Sequence, residues 1–135
     1  MEKYIKKEQL RSKDEAWLVV DKDGWTDDQL QTVYDWSQKD DRYGLAVSNP
    51  KFEFWLLLHF EDGNGIANSH QCTKRLLKWL PNFSKGHVDT KKLIKNLDAA
   101  IQRARQKDLP PCNDWPRQTG TTVYKLIEQI QSKVS

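Results

Sequence analysis

Two aspartates, Asp21 and Asp23, follow the apolar run 16–20 and precede Gly24, which allows a sharp turn. Side chains two residues apart on an extended segment point to the same side, so the two carboxylates can converge. Like charges held close together need a cation or a shared proton to offset them. A hard cation with oxygen ligands, such as Mg²⁺, suits this pair best. The alternative is an ordinary polar turn after a strand, for which Asp-x-Asp-Gly is common chemistry.

Three more polar residues lie where a catalytic site could use them. Ser48 and Asn49 follow a second apolar run, and they can hold a phosphate or a metal-bound water, or form an ordinary connection between a strand and a helix. Glu53 lies in the apolar segment 51–60, where a carboxylate is costly to bury unless it is paired, hydrogen-bonded or bound to a metal. Its alternatives are exposure to solvent or a place near the amino terminus of its helix, where negative charge is favoured.

His59 and the basic residues are weaker candidates. His59 stands six residues after Glu53, which is not the His-Glu-x-x-His zinc spacing, so a packing role is favoured over involvement in the site. Lys85, His87 and the basic positions of segment 89–107 can contact nucleic-acid phosphates or can form a solvated helix face. The sequence has no Gly-rich phosphate loop and no Gly-x-Ser-x-Gly elbow, so it gives no support for nucleophilic catalysis.

The composition indicates one globular domain. Of the 135 residues, 30% are charged and 37% are apolar, and the net charge of +3 permits nucleic-acid binding without requiring it. Cys72 and Cys112 stand far apart and fit reduced thiols better than a disulfide or a zinc site. No apolar stretch has membrane-spanning length, and the amino terminus lacks a signal-peptide core. We therefore expect a cytoplasmic protein.

The elements that must position these residues form a strand–helix–strand unit. The runs 16–20 and 43–48 are predicted strands, and Thr26 is a candidate cap for the helix between them. Such a unit predicts parallel strands whose carboxyl ends share one edge, where ligands bind in α/β sheets. The predicted fold is a small α/β domain with a parallel sheet, helices on both faces and a helical carboxyl-terminal part.

Four further helices and a loop are predicted after the second strand. They are, in order, a helix at 52–60, a helix at 70–80 that is capped by Ser69, a helix that opens at Asp89 and stops at Pro110, a loop at 108–118, and a helix from about Thr121. The side chains expected to face inward on the last three helices include Leu76, Leu77, Leu80, Leu93, Ile94, Leu97, Ile101, Ala104, Val123, Ile127 and Ile130.

Two stretches of the sequence resemble a known family. Residues 19–23, Val-Val-Asp-Lys-Asp, are followed after a helix by residues 45–60, whose most specific part is Ser-Asn-Pro-x-Phe-Glu-x-Trp. Together they resemble the RloB-like (AbiLii-type) proteins of bacterial phage-defence and restriction-associated operons. Looser agreement is found at 83–85, 100–105 and 121–127, so the resemblance covers about residues 14–130.

The resemblance implies a Toprim-like fold that binds Mg²⁺ or Mn²⁺ and acts on nucleic-acid phosphodiesters. On the matching positions, Asp21 and Asp23 would hold the metal. The catalytic candidates of the signature block would be Ser48, Asn49, Glu53 and His59, and the candidate nucleic-acid contacts would be Lys22 and Lys85.

The chain departs from the family at two places. The family's amino-terminal strand, with its Glu-Gly-x-Thr-Glu type of motif, has no counterpart, so the single domain 1–135 is expected to correspond to the carboxyl-terminal two-thirds of a Toprim-like fold. Position 51, often a small residue in the family, is Lys51. The missing strand keeps a second interpretation open, which is a non-catalytic regulatory subunit that binds the ATPase often encoded beside such proteins.

Overall fold

A computed structural model describes residues 14–134, apart from the side chains of Lys85 and Val134. Its sheet has three strands in the order β1 (Ala16–Asp21), β2 (Tyr43–Asn49) and β3 (Gly120–Thr121). β1 and β2 are parallel, as the strand–helix–strand pattern predicts, while β3 is antiparallel to β2. The predicted α/β class is confirmed. The sheet is mixed and not purely parallel, because a strand too short to leave a sequence pattern runs back along β2.

Six α-helices and one short 3-10 helix accompany the sheet over the described residues. The α-helices are α1 (Asp27–Ser37), α2 (Phe52–Leu57), α3 (Ser69–Leu76), α4 (Thr90–Lys95), α5 (Leu97–Lys107) and α6 (Val123–Val134), and the 3-10 helix is Phe83–Lys85. Across residues 14–134, none of these helices is long and apolar enough to cross a membrane. The helical carboxyl-terminal part that the sequence predicts is formed by α4, α5 and α6.

Local signals start α1 where the sequence predicts it. The Thr26 hydroxyl accepts the Gln29 N–H at 3.1 Å, and the Gln29 side chain accepts the Thr26 N–H at 2.9 Å. This reciprocal pair is a capping box, and it confirms Thr26 as the cap. Leu30 and Val33 of α1 are buried in one cluster with side chains of β2. α1 therefore packs on the sheet and connects its two parallel strands.

β2 is central to the core because both of its faces are covered. Ala46 packs in the larger cluster, which α2, α3, α5 and α6 supply, whereas Leu45 and Val47 pack with α1 and Trp115. The alternation follows from the two-residue period of a strand. Helices on both faces of the sheet are thus confirmed. The carboxyl end of β2 is held between two packed layers.

The predicted helix 89–107 is two helices. Asp89 caps α4 as predicted, since its carboxylate accepts the Lys92 N–H at 3.2 Å, but α4 ends before Asn96 and α5 begins after it. The Asn96 side chain donates to Lys92 O at 2.8 Å, and such local bonding competes with helix continuation. The break changes which residues of α4 face the core. The inward prediction for Ile94 is therefore wrong, and this residue is 73% exposed.

Other predictions are corrected near the helix ends. Asn68, and not Ser69, caps α3, because its Oδ1 accepts the Gln71 N–H at 2.9 Å. Leu77, expected inward, is only half-buried. Ile130 is 51% exposed, because the last turns of α6 extend past the larger core cluster.

Candidate functional site

The carboxyl ends of β1 and β2 meet at one edge, as predicted. Asp21 lies beside Ser48 in the parallel register. The Lys22 N–H donates to Ser48 O at 2.8 Å, and the Asp23 N–H donates to Pro50 O at 3.0 Å. The acidic turn and the start of the signature block are therefore hydrogen-bonded to each other. We name this region the strand-end site, and it comprises residues 21–23 and 48–53.

Asp21 also fixes the helix that follows β2. Its Oδ1 accepts the Phe52 N–H, the first amide of α2, at 2.8 Å. Lys51 occupies the cap position of α2 but its side chain makes no capping hydrogen bond, so Asp21 satisfies this amide from a neighbouring strand. Asp23, by contrast, is exposed. One carboxylate thus has a structural role in addition to any metal role, and the other faces solvent.

Glu53 is paired with a cation from its own segment. The Lys51 Nζ lies 3.5 Å from Glu53 Oε2, and the two side chains are only 18% and 23% exposed. The ammonium also donates to the Thr73 hydroxyl of α3, which itself donates to Ser69 O. The ion pair offsets the burial cost that made Glu53 a candidate. The sequence signal for it is a lysine two residues before a glutamate in an apolar segment.

Three charges of the strand-end site act on one buried thiol. Burial raises the pKa of Cys72 to about 12, while Lys51 opposes the rise and Glu53 and Asp21 add to it. Cys72 is therefore a neutral packing residue and not a thiolate nucleophile.

A metal at this edge would have to be bound by Asp21 and Asp23 together with water and substrate. Among residues 14–134, no three His, Cys, Asp or Glu side chains are grouped as a metal site. The two carboxylates are hard oxygen donors, and Mg²⁺ is often held by one or two carboxylates plus substrate phosphates. Asp21 uses one oxygen for the helix amide and keeps the second. With no group of three such side chains among the described residues, most coordination positions of a cation here would be left to water and substrate.

Ser48 and Asn49 hold the segment 116–121 against β2. Ser48 is completely buried, and its Oγ lies 2.7 Å from Thr121 Oγ1. The Asn49 Nδ2 donates to Pro116 O at 3.2 Å. These contacts give both residues a structural role, and their catalytic assignment stays a prediction.

His59 follows the carboxyl-terminal end of α2, whereas the strand-end site lies at the amino-terminal end of this helix. It is buried, and its Nδ1–H donates to Trp55 O at 3.0 Å and to Leu56 O at 3.2 Å. Burial lowers the pKa of His59, and the two backbone acceptors only partly oppose this effect. The ring also contacts those of Trp55 and Phe60. A neutral histidine that packs in the core fits these contacts best.

The two predicted nucleic-acid contacts lie in different parts of the fold. The Lys22 Nζ is at the strand-end site, 3.4 Å from Asp27 Oδ1 and 3.4 Å from Trp25 O. Its charge is therefore partly offset by α1. Lys85 belongs to the 3-10 helix, and its side chain lies outside the described part of the structure.

Thr121 and Thr122 are structural neighbours of the site that sequence reasoning missed. The Thr122 N–H donates to Val47 O at 2.9 Å, and the Val47 N–H donates to Thr122 Oγ1 at 2.9 Å. Through these bonds, and through the contact between Thr121 and Ser48, the two threonines cover the edge of β2 that does not pair with β1. Their signal, two threonines before an apolar helical pattern, equally predicts an ordinary helix start.

Comparison with known proteins gives the family. A family model described as RloB-like protein matches residues 1–130. No curated protein and no solved structure matches the chain significantly. The matched range contains both parallel strands and the strand-end site.

Proposed function

The chain belongs to the RloB-like family, and we propose that it acts on nucleic acid as a Toprim-like, metal-dependent nuclease or phosphoryl-transfer domain. Membership of this family is consistent with a phage-defence or restriction-associated role. Abortive infection of the AbiLii type is part of the proposal. We also propose a cytoplasmic location, because Cys72 and Cys112 are free thiols, as expected in a reducing compartment.

The observation that supports this proposal is the hydrogen-bonded edge formed by Asp21, Asp23 and the segment 48–50. α/β sheets bind ligands at the carboxyl ends of their parallel strands. Asp23 and the second oxygen of Asp21 would hold Mg²⁺ or Mn²⁺. Such a cation, when bound, polarises a phosphate and stabilises charge on the attacking and leaving oxygens.

The chain's own residues do the positioning in this proposal. Asp21 is held by its hydrogen bond to α2, so its second oxygen has a defined direction. Ser48 and Asn49 hold the segment 116–121 beside the site through their hydrogen bonds. Glu53 is the candidate for orienting the attacking water, and its ion pair fixes the carboxylate.

Calorimetric titration with Mn²⁺ tests the metal assignment. Asp21→Asn and Asp23→Asn are each expected to lower the affinity by about tenfold or more, because each removes a charged ligand. Asparagine at position 21 keeps an oxygen that can accept the Phe52 N–H. Asp28→Asn changes an exposed acid in the first turn of α1 and is the matched control. Isotherms of the two site variants that coincide with the wild-type isotherm would end the metal assignment.

Cleavage is tested on labelled single-stranded and double-stranded DNA and RNA with Mg²⁺, Mn²⁺ or EDTA. We expect cleavage by the wild type only when a divalent metal is present, and none by Asp23→Asn. Cleavage that persists in EDTA or in this variant would refute the metal-dependent mechanism.

A non-catalytic role is the second candidate. It is favoured by the lack, within residues 14–134, of a group of three metal-binding side chains. The chain would then be a regulatory subunit that binds an ATPase from the same operon. Co-purification of the two proteins, with no cleavage of nucleic acid by the chain alone, is the result expected for this role. Metal-dependent cleavage by the purified chain would exclude it.

A further inference from the structure

Positive charge is concentrated in one-fifth of the sequence. Residues 69–95 contain seven Lys or Arg residues and one acid, so this segment has a net charge of +6. The whole chain has a net charge of +3, so the remaining residues together carry −3. The segment includes α3, the 3-10 helix and α4. Its cations are Lys74, Arg75, Lys78, Lys85, Lys91, Lys92 and Lys95.

Most of these cations face solvent. Arg75 is half-buried, and the one acid, Asp89, is engaged at the amino terminus of α4. Within the described residues, none of the exposed lysines of this segment forms an ion pair. These exposed lysines are Lys74, Lys78, Lys91, Lys92 and Lys95.

A cavity of ≈ 300 Å³ lies between the end of α3 and the start of α4. Its lining includes Trp79, His87, Val88, Lys92 and Asp89, whose carboxylate caps α4. Trp79 is 41% exposed and Val88 is 43% exposed, so apolar surface lies open among the positive charges. Exposed aromatic rings beside cations are typical of surfaces that bind nucleic-acid strands.

Trp79 is held in a fixed plane. Its ring stacks on that of Phe60, with centroids 5.7 Å apart and planes 6° from parallel. Its Nε1 donates to Glu61 Oε2 at 2.9 Å, and Arg75 lies 2.8 Å from Glu61 Oε1. Burial would raise the pKa of Glu61, but hydrogen bonds from Arg75 and Trp79 outweigh burial and lower it, so the carboxylate stays charged.

α3 connects this surface to the strand-end site. Thr73 of α3 accepts a hydrogen bond from Lys51, and Trp79 follows six residues later along the same helix and its turns. α3 ends at Leu76, and Trp79 lies in the turn that follows it. One helix therefore contacts the strand-end site and leads into the turn that presents Trp79.

We infer that this surface binds single-stranded nucleic acid. Lysines contact phosphates, and one base stacks on the part of Trp79 that lines the cavity. Single strands are favoured over duplexes because their bases are free to stack on a protein ring. This site is inferred on the basis of the proposed action on nucleic acid, and it adds the surface that holds the substrate. We name it the basic face, and it comprises Lys74, Lys78, Trp79, His87 and Lys92.

Fluorescence anisotropy of a labelled single-stranded DNA oligonucleotide, measured with the full chain in EDTA at several salt concentrations, tests the basic face. Lys78→Gln and Lys92→Gln are each expected to make the slope of log K against log salt shallower by about 0.7, the value for one phosphate contact on a single strand. Trp79→Leu is expected to lower the affinity about 5- to 150-fold, and Trp79→Phe to restore most of it, because stacking contributes most of this interaction. Lys107→Gln on α5 is the matched control, with wild-type affinity expected.

Two results would overturn the assignment. One is wild-type affinity in Trp79→Leu with an unchanged circular dichroism spectrum, and the other is an unchanged salt slope in both lysine variants. Tighter binding of the corresponding duplex would overturn the choice of single strands. Because EDTA removes divalent metal, a failure to bind refutes the basic face, whereas a failed Mn²⁺ titration refutes the strand-end site alone.

Discussion

Replacement of Asp21 can separate the two roles of this carboxylate. Asp21→Ala removes the acceptor for the first amide of α2, whereas Asp21→Asn keeps an oxygen in the same place. Loss of a capping acceptor costs about 0.5–2 kcal/mol, and a hydrogen bond to a charged group contributes about 1.5–3 kcal/mol. Because Asp21 is only half-buried, solvent partly replaces the lost acceptor. We expect Asp21→Ala to lower the free energy of unfolding by about 1–2 kcal/mol.

Urea unfolding, followed by the fluorescence of the six tryptophans, measures this loss. In a chain of this size, 1–2 kcal/mol corresponds to a Tm about 4–8 °C lower. Asp21→Asn is expected to lose less than half of that stability while it loses Mn²⁺ affinity. Equal stability of Asp21→Ala and the wild type would refute the capping role. Equal losses in the two variants would show that the charge, and not the acceptor atom, supports α2.

Three further predictions address the other candidates. Ser48→Ala removes the buried hydrogen bond to the Thr121 hydroxyl, which keeps the Val123 N–H as a partner, and is expected to cost about 1–3 kcal/mol in urea unfolding, whereas a serine with no structural role would leave stability unchanged. Lys51→Met removes the positive charge beside Glu53. Because that charge repels a cation, the variant is expected to bind Mn²⁺ more tightly in calorimetry, and weaker binding would contradict this reasoning. Burial lowers the pKa of His59, so the unfolded chain binds its proton more tightly and stability falls as the pH drops below the ordinary value of 6.5. Urea titrations from about pH 7.5 to 5 should show a smaller fall in His59→Gln than in the wild type or the exposed control His87→Gln, and identical pH slopes would contradict this account.

Patterns in the sequence predicted the features that depend on nearby residues. The Thr26 capping box and the Asp89 cap are each completed within three positions of the capping residue. The strand–helix–strand unit is similarly local. The meeting of Asp21 and Asp23 with segment 48–50 could also be predicted, because parallel strands in one such unit end at the same edge.

Features that join distant parts of the chain could not be predicted in this way. Ser48 and Thr121 are 73 residues apart, and β3 is too short to have a period. The hydrogen bond from Phe52 to Asp21 spans 31 residues and depends on where α2 begins relative to β1. Hydrophobic periodicity reports which face of an element is apolar. It does not report which polar atoms will face each other after packing. The hydrogen bonds and the ion pair of the candidate site residues therefore became visible only in the structure.

The closing of β2 by β3 bears on how the protein matures during translation. Asn49 takes its partner from Pro116 and Val47 takes its partner from Thr122, 67 and 75 residues later. The ribosome synthesises the chain from its amino terminus. Asp21 and Asp23 therefore leave the exit tunnel well before residues 116–122 have been synthesised. The nascent protein therefore carries an unfinished edge. That edge of β2 stays unpaired until residues 116–122 dock against it.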